Sequence, residues 1–352
     1  MNKNTRELLL KHYKNFPCLQ AEDVFKFLFQ SCFGCEHLVT DEKNALQYIM
    51  KEYSEISDFA EPFTDALDGN YSRVYLSWLN AGLSSETLAR LFCLSAKKEH
   101  NGKALLAEKT EAAVELVENG EIPLIKEEFE NKLAVWQERG CPAIHHSAAF
   151  RSTYRPAYRV IDNKYADFLK LFSEIDRQLS SGNVILAIEG GSASGKSTLS
   201  EILSSVYDCN VFHTDDFFLR PEQRTSERFR EVGGNIDRER FFDEVVCSLT
   251  KNEAVNYRPF DCSSQSLGDI ITVAPKRLTV VEGVYSMHPA FNKYYNLSVF
   301  LDVEKELQKK RIEKRNSPFL AKRFFEEWIP LENVYFEKTE LIKTVDLVIK
   351  IN

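Results

Sequence analysis

The sequence predicts an α/β fold in its second half, a parallel sheet with helices on both faces, preceded by a mostly α-helical first half. Three observations predict it. Beyond residue 184, short apolar runs rich in β-formers alternate with helical patterns, as strands buried under crossover helices do. The first such run enters a glycine-rich turn, Gly190-Gly191-Ser192-Ala193-Ser194-Gly195-Lys196-Ser197, which opens a helix. Before residue 140 the apolar residues recur at helical spacing with few β-branched runs. The 352 residues, 43% hydrophobic and 28% charged, exclude a disordered or low-complexity chain and suffice for two cores. A net charge of −8 argues against a nucleic-acid partner held by phosphate neutralisation. No apolar run approaches the roughly 20 residues of a membrane span. The first residues carry no signal-type apolar block, and eight cysteines without one read as reduced thiols. A cytoplasmic protein with no membrane partner is the expectation.

Taken in order, helices are expected over residues 21–33, 83–96, 103–117 and 124–139. Asn119-Gly120 and Gly140 stop the last two, because glycine accepts the left-handed conformation at a helix end. Residues 162–179 read as a helix that delivers the chain through Ser181-Gly182 to the first strand. The expected boundary therefore divides a helical domain, 1–160, from a nucleotide-binding domain, 161–352. In the second, strands are expected at 184–189, 211–213, 278–282, 297–301 and 345–351, and helices at 197–206, 237–249 and 304–315.

The glycine-rich turn fits G-x-x-x-x-G-K-[ST], the Walker A pattern, in its required setting between a buried strand and a helix. Glycines let the N–H groups of residues 190–198, from Gly190 to Thr198 on the first helical turn, close around phosphate oxygens at the positive end of a helix dipole. Lys196 can reach β- and γ-phosphates and the Ser197 hydroxyl can ligate Mg²⁺, so ATP and magnesium are the expected cofactors. No N-K-x-D segment argues for a GTPase. Asp215 and Asp216 end the second strand, where sites form in open α/β sheets, and read either as an acceptor-activating pair or as a solvated turn. Glu282 ends an apolar strand as a metal-facing carboxylate should, with Asp302 as its competitor. Arg311 and Arg315, four apart on one helix, read as a clamp for phosphoryl charge or as part of a solvated basic face.

Residues 184–351 resemble the uridine kinase branch of the P-loop kinases, with nicotinamide riboside kinases, pantothenate kinases and phosphoribulokinase. His213-Thr214-Asp215-Asp216-Phe217-Phe218 looks like that family's strand-end D-x-F-[FY]. The segment Asn235-Ile236-Asp237-Arg238-Glu239 looks like its N-F-D-x-P, with Glu239 replacing the usual Pro. Tyr257-Arg258-Pro259-Phe260-Asp261 is similar to the acceptor-site Y-D segment, with Phe260 in place of Tyr. Val281-Glu282-Gly283 matches its strand-end E-G, and residues 310–315 resemble its basic helix before the lid. The resemblance implies an α/β P-loop kinase domain that moves the γ-phosphoryl of ATP to a hydroxyl of a nucleoside or related small-molecule acceptor. It makes Asp215 the base and leaves Asp216 free to cap, contact the acceptor or bind metal-shell water. It puts Asp237, Tyr257, Arg258 and Asp261 at the acceptor, and Glu282 near Mg²⁺. Asp237 reads equally as the N-cap of the helix after it. The alternative function is a regulatory module in which the nucleotide-binding domain gates the helical one.

The first half is less explicit. Cys32, Cys35 and His37 form C-x-x-C-x-H, with Cys18, Cys141, His145 and His146 elsewhere. Fewer than four ligands fall at recognised spacing, so buried cysteines beside a helix end are expected in preference to zinc. Residues 145–159, with Arg151, Arg155 and Arg159, read either as an anion pocket or as a polar connector.

Overall fold

The computed structural model describes residues 2–35, 41–56, 61–96 and 102–351. The chain forms two compact units, Met1–Arg177 and Gln178–Asn352. This division falls later than the expected 160/161. The strand Tyr158–Asp162 belongs to the first unit's sheet, and Asp176, from the helix Leu169–Leu179, accepts hydrogen bonds from Ser84 N and Thr87 Oγ1, both 2.8–2.9 Å.

The first unit holds helices α1 (Asn2–Asn15), α2 (Ala21–Phe33), α3 (Glu42–Ser54), α4 (Ser85–Ala96), α5 (Gly102–Glu118), α6 (Lys126–Glu138) and α7 (Ala148–Tyr154). Helix α2 shows why these segments are helical. Val24, Phe25, Phe27 and Leu28 are buried on it, and Phe25 stacks on Trp136 of α6 with centroids 5.1 Å apart. A three-stranded antiparallel sheet, absent from the sequence expectation, joins them: β1 (Thr64–Ala66), β2 (Tyr71–Tyr75) and β3 (Tyr158–Asp162), with β2 central. The β1–β2 turn is built on Asp68-Gly69, with Gly69 at φ +96°.

In the second unit, β4 (Val184–Gly190), β5 (Cys209–His213), β10 (Leu278–Glu282), β11 (Leu297–Val303) and β12 (Leu347–Ile351) form a wholly parallel sheet. Between β5 and β10 lie two short antiparallel pairs, β6 (Val255–Tyr257) with β9 (Ile271–Val273), and β7 (Phe260–Asp261) with β8 (Ser266–Leu267). Along the parallel sheet the order is β12-β11-β4-β10-β5. The strand that precedes the glycine-rich turn is therefore central: the chain passes from it to β5 and back to β10 on one side, then crosses to β11 and β12 on the other, the reversal that opens a crevice at the strands' carboxyl ends. This is an α/β P-loop fold. The five residues of β10 are all buried, as a strand covered on both faces requires. The expected helix at 237–249 runs as Arg238–Phe241, a π-type segment at Phe242–Val246, and Cys247–Thr250. Among the described residues no helix is long and apolar enough to cross a membrane.

Candidate functional site

The crevice is built from the ends of β4, β5 and β10. As β4 ends, Gly190 takes φ +153° and Gly195 φ +105°, and a Cβ on Gly190 would stand 2.8 Å from the Leu301 carbonyl oxygen. The helix Lys196–Val206 then begins, aiming its first free N–H groups back into the loop. Lys196 is buried, and its Nζ donates to the Gly190 and Gly191 carbonyls, each at 3.0 Å, so the ammonium lies across the loop. Other elements brace the loop from outside. Gln308 Nε2 donates to Ser192 O at 2.8 Å, and Arg311 Nη1 to Ala193 O at 3.1 Å. The Glu332 carboxylate accepts from Ser192 N at 2.9 Å and from the Ser192 hydroxyl. No local pattern points Glu332 or Gln308 to the loop; only the fold brings them to residue 192.

Parallel register sets Glu282 of β10 beside His213 of β5. Glu282 is buried, and its Oε1 accepts from Ser197 Oγ at 3.1 Å and meets His213 Nδ1 at 2.6 Å. That hydrogen bond holds the His213 imidazole above its usual pKa. Glu282 and Ser197 thus adjoin, whereas Asp302 pairs with Lys350 at 3.0 Å on the surface. Thr214 Oγ1 donates to Val284 O at 3.0 Å and fixes the turn that presents Asp215. Asp215 is open to solvent in the crevice, yet protein crowds it from most sides. That crowding raises its pKa against the opposing charges of Lys196, His213 and Arg315. Burial likewise raises Asp216, beside it and half-buried.

The residues expected at the acceptor are less uniform. Asp237 caps its helix by accepting from Arg240 N at 3.2 Å, and it also accepts from Gln223 Nε2 at 2.9 Å. Tyr257 packs in the core, its ring 5.8 Å from that of Phe217. Arg258 holds the β7–β8 hairpin through Gly268 O at 2.7 Å. Asp261 accepts from Ser263 N and Oγ, both at 2.7 Å, and from Ser264 Oγ, which pulls its carboxyl down to about 2. Arg240 was not anticipated. Its Nη2 donates to Asp216 O at 3.0 Å and its guanidinium lies 4.2 Å from the Phe217 ring centroid, holding the Asp216 backbone in place. Arg315 rests over the Phe324 ring at 5.7 Å.

No family model matches the chain, and no curated protein matches it significantly. Solved structures are similar to about half of it. A possible uridine kinase from Bacillus stearothermophilus is 22% identical over 51% of this chain and 98% of its own, with a TM-score of 0.39. A candidate fructose transport system kinase from Silicibacter sp. TM1040 is 23% identical over 47% of this chain and 89% of its own, with a TM-score of 0.38. The fold assignment rests on the strand order and the glycine-rich loop themselves.

In the first unit, Cys32 and Cys35 are buried at the end of α2, where Gly34 takes φ +61°; His37 lies outside the described residues. Among the described residues no group of three or more His, Cys, Asp or Glu gathers to hold a metal. The segment 145–159 splits up. Arg151 and Arg155 are exposed and Arg159 pairs with Glu52 at 2.7 Å, while His146 turns inward to Asp23 at 2.7 Å.

Proposed function

We propose that the second unit is an ATP-dependent small-molecule kinase that transfers the γ-phosphoryl group to a hydroxyl of a nucleoside or related acceptor. The observation that carries this reading is the position of Asp215, a solvent-open carboxylate in the same crevice as the loop lysine and the Ser197–Glu282 pair. A loop that only stored a nucleotide would need no carboxylate there.

The donor set suits the nucleotide and its metal. The loop offers glycine backbone that can close on phosphate, a lysine and a helix N-terminus, and the adjoining Ser197 hydroxyl and Glu282 carboxylate are hard oxygen donors of the kind Mg²⁺ takes. Bound ATP and Mg²⁺ supply the phosphoryl group and neutralise its charge. The chain's own residues do the rest. Lys196 exchanges its carbonyl partners for phosphate oxygens. Asp215 accepts the hydroxyl proton as the acceptor oxygen bonds to the γ-phosphorus and the bond to the β–γ bridging oxygen breaks; its raised pKa makes it a better proton acceptor than an ordinary aspartate. Arg311, held against the loop, and Arg315, whose charge Asp215 feels, balance charge in transfer. Asp216 and Asp237 orient the acceptor, Asp237 from its capping position, with Tyr257, Arg258 and Asp261 shaping that side. The test is ADP release from ATP with a panel of nucleosides, vitamins and sugars: release that depends on one acceptor class supports the reading, and release indifferent to all of them refutes it.

A further inference from the structure

The first unit buries a polar cluster where a sheet packed under helices should be apolar. Register sets Asp65 opposite Arg73 and Tyr75 opposite Tyr158, so these four side chains share one face of the β1-β2-β3 sheet. Arg73 is at its centre and is wholly shut from solvent. Its Nε donates to Gln30 Oε1 of α2 at 2.8 Å, and its Nη1 lies 3.2 Å from His12 Nε2 of α1 and 3.4 Å from Asp65 Oδ2. Its Nη2 has no hydrogen-bond partner among the described residues, and neither has the Tyr75 hydroxyl, although both atoms are buried.

The nearby carboxylates do not close this gap. Asp65 holds Arg73 at the long end of hydrogen-bond range and is shared with His12 Nδ1 at 2.9 Å. Asp23 is fully engaged elsewhere, accepting from Gln20 N, from Ser147 N and Oγ, and from His146 Nδ1. A guanidinium is costly to bury unless paired and fully hydrogen-bonded, and buried polar groups almost always find partners. Beside them His12 Nδ1, although 2.9 Å from Asp65, is also without a well-formed hydrogen bond, and Arg73 Nη2 and the Tyr75 hydroxyl are both donors. Arginine cannot accept a hydrogen bond, and burial pushes the Tyr75 phenol far up, so it keeps its proton. Two donors with positive charge behind them call for an anionic oxygen. Lys26, whose Nζ donates to Ile144 O at 2.9 Å, adds positive charge that Arg73 feels, and Tyr75 and Tyr158 are each partly exposed, although the Tyr75 hydroxyl itself is buried.

We propose that this sheet face is an oxyanion-binding site, in which Arg73 Nη2 and the Tyr75 hydroxyl donate to a carboxylate or phosphate group of a small-molecule ligand. It is separate from the phosphate loop and independent of the kinase reading. Only part of it was legible in the sequence: Tyr158, on the same sheet face, lies in the segment singled out there, but the anchoring arginine lies more than 70 residues earlier.

The test is calorimetric titration of the whole chain with inorganic phosphate and with acetate at constant ionic strength, in the parent and in Tyr75→Phe. The variant removes only the hydroxyl and leaves the phosphate loop intact, so the difference between the two chains reports this site alone. The expected result is saturable binding of at least one anion, weakened at least about 10-fold in Tyr75→Phe, with an anion-free melting temperature unchanged or higher, because an unsatisfied hydroxyl has gone. Tighter phosphate binding assigns a phosphate-bearing ligand and tighter acetate binding a carboxylate-bearing one. The proposal is overturned if the parent and Tyr75→Phe bind both anions alike. It is also overturned if the variant melts lower without anion, since the hydroxyl then serves the fold itself.

Discussion

Asp215 and Asp216 are neighbours in sequence with different surroundings. Asp215 feels Lys196, Glu282 and Arg315, whereas Asp216 lies closer to Arg240 and is fixed through its carbonyl. Both lie on the single 3₁₀ turn Thr214–Phe217 that follows β5, where successive side chains leave the axis in different directions, so in the proposed reaction one takes the proton and the other does not. Asp215→Asn is therefore expected to lower kcat at least about 100-fold with ATP affinity nearly unchanged, while Asp216→Asn raises the acceptor KM. Steady-state kinetics with calorimetric ATP binding checks both, and the assignment moves by one residue if the effects are exchanged. A second expectation concerns pH. The crowding that raises the Asp215 pKa leaves it protonated, and unable to accept a proton, at pH values where an ordinary aspartate is already ionised. The kcat/KM profile of the parent should fall on its acid side at a higher pH than an ordinary aspartate would give, and an acid limb at the ordinary aspartate value would contradict this.

At the scale of elements, the parallel strands were legible because a strand buried on both faces is a continuous apolar run, as Val184-Ile185-Leu186-Ala187-Ile188 is. The first unit's sheet was not. Its central strand, Tyr71–Tyr75, carries Arg73 on its buried face, which breaks the apolar alternation, and its partner Tyr158–Asp162 lies far along the chain. The Asp68-Gly69 turn was the one local signal. The site followed the same division: loop and strand-end residues were readable from a motif, whereas Glu332 and Gln308 reach the loop only through tertiary packing. The turn after β10 offers a test of how tightly elements hold the crevice. Gly283 takes φ +141°, and a Cβ there would stand 1.9 Å from Thr214 Oγ1, the hydroxyl that fixes the turn before Asp215. Gly283→Ala should cost about 1–3 kcal/mol in denaturant unfolding and lower turnover along with it. Full stability in the variant would show that this packing is looser than described.

At the scale of the whole molecule, the two units predict where the chain can be cut. Residues 178–352 contain every strand of the parallel sheet and its loop. That fragment should fold and bind ATP, and should be better behaved than 161–352. The longer fragment carries Leu169, Leu171, Phe172 and Ile175, buried in the intact chain, on a helix that is tied to Ser84 and Thr87. Solution behaviour and ATP binding of the two fragments decide this, and a longer fragment that is the more soluble would contradict the division at 177. The central claim, that the second unit moves phosphoryl groups to a small acceptor, is tested most directly by ADP formation from ATP across an acceptor panel, in the parent and in Asp215→Asn. The account predicts release that requires one class of hydroxyl acceptor and is lost in the variant. Slow hydrolysis that no acceptor accelerates and that Asp215→Asn leaves intact would contradict it, and would mark the unit as a nucleotide-dependent regulatory module.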